Sequence, residues 1–180
     1  MQGSESLVLS SHYPDMCIQI ATKQDWPDLI RIYNEAVDTR VSTADTEYVT
    51  IESRKSWLVE HQDERFPIFV KTVNDGVVGW CSISAYRSGR PAVAGSCEIS
   101  YYVSAKHRGQ GVASELIEHA LAKCPALGIR ILFGILLESN APSIHLLTKY
   151  GFKEWGRLPE VAEIDGKRFD HVYLGLQLEG

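Results

Sequence analysis

The sequence predicts a mixed α/β fold in which helices cover a sheet. Three observations predict this class. A strand, a basic glycine-rich loop and a helix follow one another over residues 96–123. The tripeptide Asn74-Asp75-Gly76 separates two β-type segments and is a strong hairpin signal. An apolar run at residues 129–137 has the length of a buried parallel strand, which needs helices on its faces.

The remaining periodicity places the other elements in order. Thr22 and Asp25 have the spacing of a helix cap, and an apolar stripe follows them. The first half is predicted to contain a strand (16–22), a helix (25–38), a polar loop (40–48), a helix (50–62), the hairpin strands (68–73 and 77–86) and a loop (87–95). The second half is predicted to contain the central strand (97–103), its helix ending near residue 123, the buried strand (129–137), a helix from Pro142 to Gly151, and two antiparallel strands (152–158 and 168–178) joined through Asp165-Gly166.

Length and composition exclude several classes of protein. At 180 residues and 44% hydrophobic content, we expect one domain over residues 16–180, after a flexible tail at residues 1–15. A net charge of −5 argues against a nucleic-acid partner. No apolar run is long enough to span a bilayer, and the first sixteen residues do not resemble a signal peptide. We therefore expect neither a membrane partner nor secretion.

The cysteines and histidines support a cytoplasmic location without a metal centre. The four cysteines are widely scattered and form no Cys-x-x-Cys pair, which is typical of reduced thiols in a cytosol. The six histidines lack the spacing of metal ligands. We therefore predict no structural or catalytic metal.

The loop at residues 106–113 has the composition of an anion-binding site. Glycines let backbone N–H groups approach a phosphate closely, and the helix that follows adds its positive N-terminal end. Arg108 adds a fixed charge. No Lys follows Gly111, which excludes a nucleoside-triphosphate loop, and the glycine pattern of a dinucleotide fold is incomplete. What remains is Arg108-x-x-Gly111-x-Ala113.

That pattern matches the pyrophosphate-binding signature of the GNAT acyl-CoA-dependent N-acyltransferases, which the chain resembles over residues 18–178. It looks most like the phosphinothricin and methionine sulfoximine acetyltransferase branch. The resemblance implies the GNAT fold, a mixed and mostly antiparallel sheet of six to seven strands flanked by four helices, with splayed central strands. It also implies that the loop at residues 40–48 lies beside the acceptor pocket. The residues expected to bind acetyl-CoA are Tyr101, Tyr102, Val103, Arg108, Gly109, Gln110, Gly111, Val112, Ala113, Ser114, Asn140 and Ser143.

Asn140 and Ser143 have a second interpretation, because both residue types commonly cap helices. The resemblance makes Asn140 a contact to the acetyl-CoA arm and Ser143 a weaker one. It also places the backbone donors for the thioester carbonyl near Tyr102 and Val103.

Glu98 is the candidate general base. On a strand, Glu98, Ser100 and Tyr102 share one face, and burial there would raise the carboxyl pKa toward a useful range. From the residues alone, a solvated carboxylate or one paired with an arginine is an equal alternative. The resembled branch has a Glu at this place, proposed there as the base that takes the proton of the acceptor amine.

The acceptor site is predicted to include two arginines. An acceptor that carries a carboxylate needs a cation, and Arg offers bidentate geometry. Arg87 and Arg90 lie in the loop before Glu98, and the resemblance gives Arg90 the role of binding the acceptor's acidic group. We therefore predict substrate binding by Arg87, Arg90, Glu98 and Ser100. Many GNAT members have a Tyr where this chain has Leu147, so we assign no general acid.

The function expected from these residues and the resemblance is direct transfer of an acetyl group from acetyl-CoA to the primary amine of a small acceptor, an amino acid or analogue. A covalent acetyl-cysteine route is disfavoured, because Cys97 and Glu98 point to opposite faces of a strand. The alternatives are acetylation of a protein N-terminus or lysine, and a non-catalytic domain that senses acyl-CoA. The resemblance also implies a homodimer.

Overall fold

The computed structural model describes residues 16–74 and 76–178, so the predicted tail at residues 1–15 lies outside the described part of the chain. Seven strands form one sheet in the order β1-β2-β3-β4-β5-β7-β6. The pair β4–β5 is parallel, and all other neighbours are antiparallel. The strands are β1 (Met16–Ile20), β2 (Ile68–Val73), β3 (Gly76–Ala85), β4 (Ser96–Val103), β5 (Ile131–Leu137), β6 (Lys153–Ile164) and β7 (Lys167–Gln177). The α-helices are α1 (Trp26–Val37), α2 (Lys55–Glu60), α3 (Val112–Lys123) and α4 (Ala141–Lys149).

The predicted fold class and element order are confirmed, and so are most boundaries. Strands β2 and β3 pair as the predicted hairpin, with Val73 opposite Gly76, and Asp165-Gly166 joins β6 and β7. Thr22 and Asp25 form the predicted capping box at a 3₁₀ turn that leads into α1. All seven strands join one sheet, which supports our proposal of a single domain over residues 16–180.

The predicted helix at residues 50–62 is shorter in the structure. Helix α2 begins at Lys55, and residues 51–54 form turns. The side chains of Thr50 and Ser53 bond reciprocally to each other's backbone N–H groups, at 3.1 and 2.9 Å. Such local side-chain bonds compete with a regular helix, and they explain its late start.

The last hairpin is longer than predicted. Strand β6 extends to Ile164, whereas the pattern ended at Leu158. Its pairing with β7 is irregular between Leu158 and Ala162, and a change of register removes the simple alternation that sequence analysis depends on.

The two faces of the sheet pack against different helices. One core cluster joins Ile83, Cys97 and Ile99 to α3 and α4. The other joins Trp80 and Val70 to α1 and α2. Strand β4 therefore directs its odd-numbered side chains toward α3 and α4 and its even-numbered ones toward α1 and α2, as predicted from strand alternation.

Candidate active site

Two adjoining cavities meet at the centre of the sheet. The first, with a volume of about 390 Å³, is lined by Glu98 and by residues of α1, α2 and β3, and we call it the Glu98 cavity. The second, of about 690 Å³, is lined by the glycine-rich loop and the N-terminal ends of α3 and α4, and we call it the glycine-loop cavity. Residues that line both cavities mark where they join. These residues are Ser42, Ser100, Tyr102, Ile135 and Leu136.

The junction exists because β4 and β5 separate. They are paired only where residues 96–98 face residues 131–133. Beyond Glu98, β4 continues to Val103 with β3 alone as its partner, and β5 continues to Leu137 alongside β7. This confirms the splayed central strands, and it leaves a gap between two otherwise well-paired halves of the sheet.

The hydrogen bonds of β4 decide which of its amides face the gap. At the start of β4, the Ser96 carbonyl accepts from the N–H of Tyr86, which directly follows β3, at 3.1 Å. Just after the end of β4, the Ser104 N–H donates to the Val78 carbonyl of β3 at 2.9 Å. Backbone directions alternate along a strand, so the even-numbered residues between them also face β3. The odd-numbered amides of β4 therefore point toward β5, and those of Tyr101 and Val103, which lie beyond the last paired residue Glu98, face the gap. Our expectation of donors near Tyr102 and Val103 is refined to these odd-numbered amides.

The glycine-rich loop leads directly into α3. Gly109 and Gly111 have φ of 73° and 84°, a backbone region that residues with a Cβ rarely adopt. Gly111 is the N-cap residue of α3. The first amides of a helix have no partner within it, so those of Val112 and Ala113 are available to an anion. The loop thus forms a cradle of backbone donors at one end of the glycine-loop cavity.

Eleven of the twelve residues predicted to bind acetyl-CoA line the glycine-loop cavity. The exception is Gln110, whose side chain donates to the Lys106 carbonyl at 2.9 Å. Arg108 is exposed and donates to the carbonyls of Val103 and Glu35 at 3.3 and 3.4 Å. These long bonds hold its charge beside the cavity. The eleven predicted residues that line the glycine-loop cavity are Tyr101, Tyr102, Val103, Arg108, Gly109, Gly111, Val112, Ala113, Ser114, Asn140 and Ser143.

Asn140 is both a helix cap and a cavity residue. It is 5% exposed, and its side-chain oxygen accepts from the Ser143 N–H at 3.3 Å, at the start of α4. The carbonyl end is used in this way, which leaves the side-chain NH₂ group to face the cavity that Asn140 lines. The two interpretations from the sequence are therefore compatible.

Glu98 lies at the wall of the smaller cavity, half-buried and directly opposite Ser84 of β3. Burial raises the pKa of the Glu98 carboxyl above its ordinary value, and a hydrogen bond from the Ser100 hydroxyl acts in the opposite direction. The raised pKa moves Glu98 toward the range in which a carboxylate can accept a proton efficiently. The solvated-face interpretation of Glu98 does not fit this environment.

Aromatic rings form much of the remaining wall. Tyr102 packs against Tyr33 and Trp80 with ring centroids 4.9 and 4.7 Å away. Burial raises the pKa of Tyr33 to about 12, and the pKa of Tyr102 is also raised, so both phenols are neutral near pH 7. Residues 42–44 close one side of the Glu98 cavity. They belong to the loop at residues 40–48, which the resemblance placed beside the acceptor pocket.

Sequence analysis missed two features of this wall. Arg54 lines the cavity, pairs with Asp45 and lies over the Tyr33 ring at 5.6 Å. Ser84 also lines it and is bonded to buried His61. The spacing of Arg54, Trp57 and His61 is the available signal, since helical residues three and seven positions apart lie on one face.

Some predicted residues lie elsewhere. Arg87 and Arg90 are exposed, and neither belongs to the lining of the Glu98 cavity or of the glycine-loop cavity. Arg87 lies over the Tyr86 ring at 5.6 Å. Their role in acceptor binding stays a prediction. Leu147 is fully buried, and Tyr150 donates to the Glu118 carboxylate at 2.7 Å, so neither is a candidate acid at the junction.

Across residues 16–74 and 76–178, His, Cys, Asp and Glu side chains form no group of three or more that could hold a metal ion. Within the same residues, none of the helices has the length and apolar character needed to cross a membrane.

Comparison with known proteins agrees with this geometry. Residues 26–152 match the model of the acetyltransferase (GNAT) family. YwnH of Bacillus subtilis (strain 168), whose name assigns it provisionally as a phosphinothricin acetyltransferase, is 41% identical over 164 residues, which cover 91% of this chain and 99% of YwnH. The chain belongs to the GNAT acetyltransferase family.

Two further relatives are more distant. The L-methionine sulfoximine/L-methionine sulfone acetyltransferase of Pseudomonas paraeruginosa is 28% identical over 163 residues, which cover 90% of this chain and 94% of that protein. The structure of YncA from Salmonella typhimurium, solved with its cofactor acetyl-CoA, superimposes with a TM-score of 0.84 at 27% identity, covering 91% of this chain and 94% of YncA. The predicted family and branch are confirmed.

Proposed function

We propose that this enzyme transfers an acetyl group from acetyl-CoA to the primary amine of a free amino acid or an analogue of the phosphinothricin or methionine sulfoximine type. The observation that carries the proposal is the junction of the two cavities. A half-buried carboxylate with a raised pKa lines the smaller one, and a cradle of backbone amides lies in the larger one. The names of the relatives and the acetyl-CoA of YncA support the same pair of substrates.

The residues of the glycine-loop cavity suit acetyl-CoA as a substrate. Amides at the start of α3 and the charge of Arg108 would hold the diphosphate. The pantetheine arm would enter the gap between β4 and β5, and the side-chain NH₂ of Asn140 would bond to it. The amides of Tyr101 and Val103 would then be available to the thioester oxygen as negative charge develops on it.

The transfer itself needs one base. Glu98 takes a proton from the acceptor ammonium, and the amine nitrogen then attacks the thioester carbon. The C–N bond forms, the C–S bond breaks, and the leaving thiolate takes up the second amine proton. The products are the amide, CoA and a protonated Glu98, which returns its proton to solvent. A thiolate is a far better leaving group than an amine, so we assign no side chain to protonate it.

The size of the Glu98 cavity favours a small acceptor. A volume of about 390 Å³, closed by aromatic rings and by the loop at residues 42–44, matches a free amino acid better than a peptide, which needs an open groove. We therefore place acetylation of a protein N-terminus or lysine second.

An amine panel tests the proposal. CoA release is measured with methionine sulfone, methionine sulfoximine, phosphinothricin, common amino acids, a lysine-containing peptide with an N-terminal Ala, and the decarboxylated amine of methionine sulfone. We expect the highest kcat/KM for the analogues and a loss of at least about tenfold on decarboxylation, since a charge-assisted hydrogen bond is lost. A preference for the peptide would support the alternative acceptor. Saturable acetyl-CoA binding without CoA release for any amine would support the sensor.

The cation that binds the acceptor's acidic group can be identified with matched variants. Arg54 lines the Glu98 cavity, whereas Arg90 is exposed outside it. We expect Arg54→Gln to raise the KM of carboxylate-bearing acceptors about tenfold and to leave the KM of the decarboxylated amine unchanged. Arg90→Gln should have the smaller effect. The reverse order would return the role to Arg90, as predicted from the sequence.

We also propose a cytoplasmic homodimer. The long β6–β7 hairpin supports dimerisation, because Trp155 and Val161 of β6 are 49% and 55% exposed. Light scattering on the purified protein tests this subunit count.

A further inference from the structure

His61 and Ser84 form a hydrogen-bonded pair behind the wall of the Glu98 cavity. His61 follows α2 and is 6% exposed. Its Nδ1 lies 2.7 Å from the carbonyl oxygen of Trp57, and its Nε2 lies 2.8 Å from the Ser84 Oγ. A carbonyl can only accept a hydrogen bond, so the Nδ1 must carry the proton. In the neutral ring, Nε2 is then an acceptor, and the Ser84 hydroxyl donates to it.

This pairing fixes the polarity of the Ser84 oxygen. A serine hydroxyl has one proton and two lone pairs, and its rotation usually decides which of them faces a ligand. Here the proton points to His61, so the lone pairs remain for the cavity that Ser84 lines. Ser84 also lies directly opposite Glu98 in the β3–β4 pairing. The Cβ atoms of directly opposite residues in an antiparallel pair are about 5 Å apart.

We propose that Ser84, oriented by His61, is a second binding residue for the acceptor amine and accepts one of its N–H groups while Glu98 takes a proton from it. The inference rests on the proposed transfer to a primary amine. A primary ammonium has three N–H groups, and a single carboxylate does not fix its rotation. Two acceptors on neighbouring strands do fix it, so the lone pair that forms on deprotonation has a defined direction. Ser84 gains and loses no proton in this role.

The surroundings of His61 agree with a neutral ring. Burial lowers the pKa of His61 and outweighs the opposite effects of the nearby Trp57 carbonyl, the charge of Glu60 and the Ile83 carbonyl. The pair also differs from a serine nucleophile with its base. The His61 Nδ1 is bonded to the Trp57 carbonyl, whereas the histidine of a catalytic triad is bonded to a carboxylate. A neutral carbonyl stabilises an imidazolium less than a carboxylate does. The geometry therefore fits recognition rather than acyl transfer through serine.

Kinetics of four variants test the proposal: Ser84→Ala, Ser84→Thr, His61→Phe and the double Ser84→Ala/His61→Phe. The acceptor is the best amine found for the wild-type enzyme, whatever its class, so failure of the amino-acid proposal leaves this test intact. We expect Ser84→Ala to raise the acceptor KM about tenfold, the loss of one hydrogen bond to a charged group, with the KM of acetyl-CoA unchanged. Ser84→Thr keeps the hydroxyl and should restore most of the loss.

The double variant separates orientation from a structural effect. If His61 acts by orienting Ser84, His61→Phe raises the acceptor KM severalfold when Ser84 is present. The same substitution then causes little further rise in the acceptor KM when Ser84 is already Ala. Equal losses in both backgrounds would show that His61 only packs, and would overturn the proposal. Ser82→Ala is the matched control, since Ser82 lies on the same strand and cavity wall and its Oγ has no hydrogen-bond partner among the described residues. An equal effect of Ser82→Ala would also count against orientation by His61.

Nuclear magnetic resonance of ¹⁵N-histidine-labelled enzyme gives a readout that does not depend on turnover. We expect His61 to have a protonated Nδ1 and an unprotonated Nε2, with the Nε2 shift altered in Ser84→Ala. A proton on Nε2 would make Ser84 the acceptor in their bond, and its hydroxyl proton would then face the cavity. That result would contradict the proposal even if all variants fold and turn over.

Discussion

Replacement of Glu98 by Gln is expected to lower kcat by about 10²–10⁴-fold, the usual contribution of a general base. Gln keeps the size and the polar character of the side chain but cannot accept the proton of an ammonium. Because Glu98 lines the smaller cavity and is absent from the lining of the glycine-loop cavity, the KM of acetyl-CoA should stay within about twofold. Steady-state kinetics with both substrates varied measures the two effects. An unchanged kcat would remove Glu98 from the mechanism.

The same substitution should change the pH profile. Activity needs the ionised carboxylate, so the wild-type rate falls as the pH drops through the pKa of Glu98. Burial raises that pKa, which places the acid limb of kcat/KM above the ordinary 4.5 of a glutamate. The residual activity of Glu98→Gln should lack this limb. The exposed Glu64 provides a control, and Glu64→Gln should keep the wild-type profile.

Glu98→Gln is also expected to raise the Tm near pH 7. The pKa of Glu98 is higher in the folded than in the unfolded chain, so the folded state favours the protonated carboxyl. The stability that this group contributes is fully present below the unfolded value and is lost as the pH rises through the folded one. Gln resembles the protonated form at every pH. The gain in Tm should therefore be largest above the raised pKa and disappear below about pH 4, near the unfolded value. A lower Tm at neutral pH would contradict this account of burial.

Much of this site could be predicted because it depends on local order. Alternation along a strand is enough to place Glu98 and Ser100 on one face and Cys97 on the other. The positive φ of Gly109 and Gly111 follows from the need for a tight loop before α3. These features require no knowledge of which strands are neighbours.

The rest of the site depends on contacts between distant segments. His61 meets Ser84 across 23 residues of sequence, and that contact exists only because α2 packs on β3. Asp45 orients Arg54 from a loop whose path has no periodic pattern. A lone histidine or arginine in a polar segment gives no sign of such partners. The same reasoning explains the late start of α2, where short side-chain bonds outweigh an adequate helical pattern.

Gly111→Val is expected to raise the KM of acetyl-CoA about a hundredfold. The φ of 84° at Gly111 is strongly unfavourable for a β-branched residue, so the loop must change its backbone path. The amides that begin α3 then lose their common direction. Loss of two charge-assisted hydrogen bonds, each about 1.5–3 kcal/mol, corresponds to at least this factor. Calorimetric titration with CoA and the KM of acetyl-CoA both measure it, and the acceptor KM at saturating acetyl-CoA should change little.

Gly166→Val separates loss of the cradle from general strain. Gly166 has a φ of 73° in the turn between β6 and β7, and a Cβ there would have nothing within 4 Å. Both variants therefore carry a similar backbone cost and should show a similar decrease in Tm. Only Gly111→Val should lose affinity for CoA, because Gly166 lines neither cavity. If the two variants lost CoA affinity equally, the effect would come from lower stability, and the glycine-rich loop would lose its role as the diphosphate site.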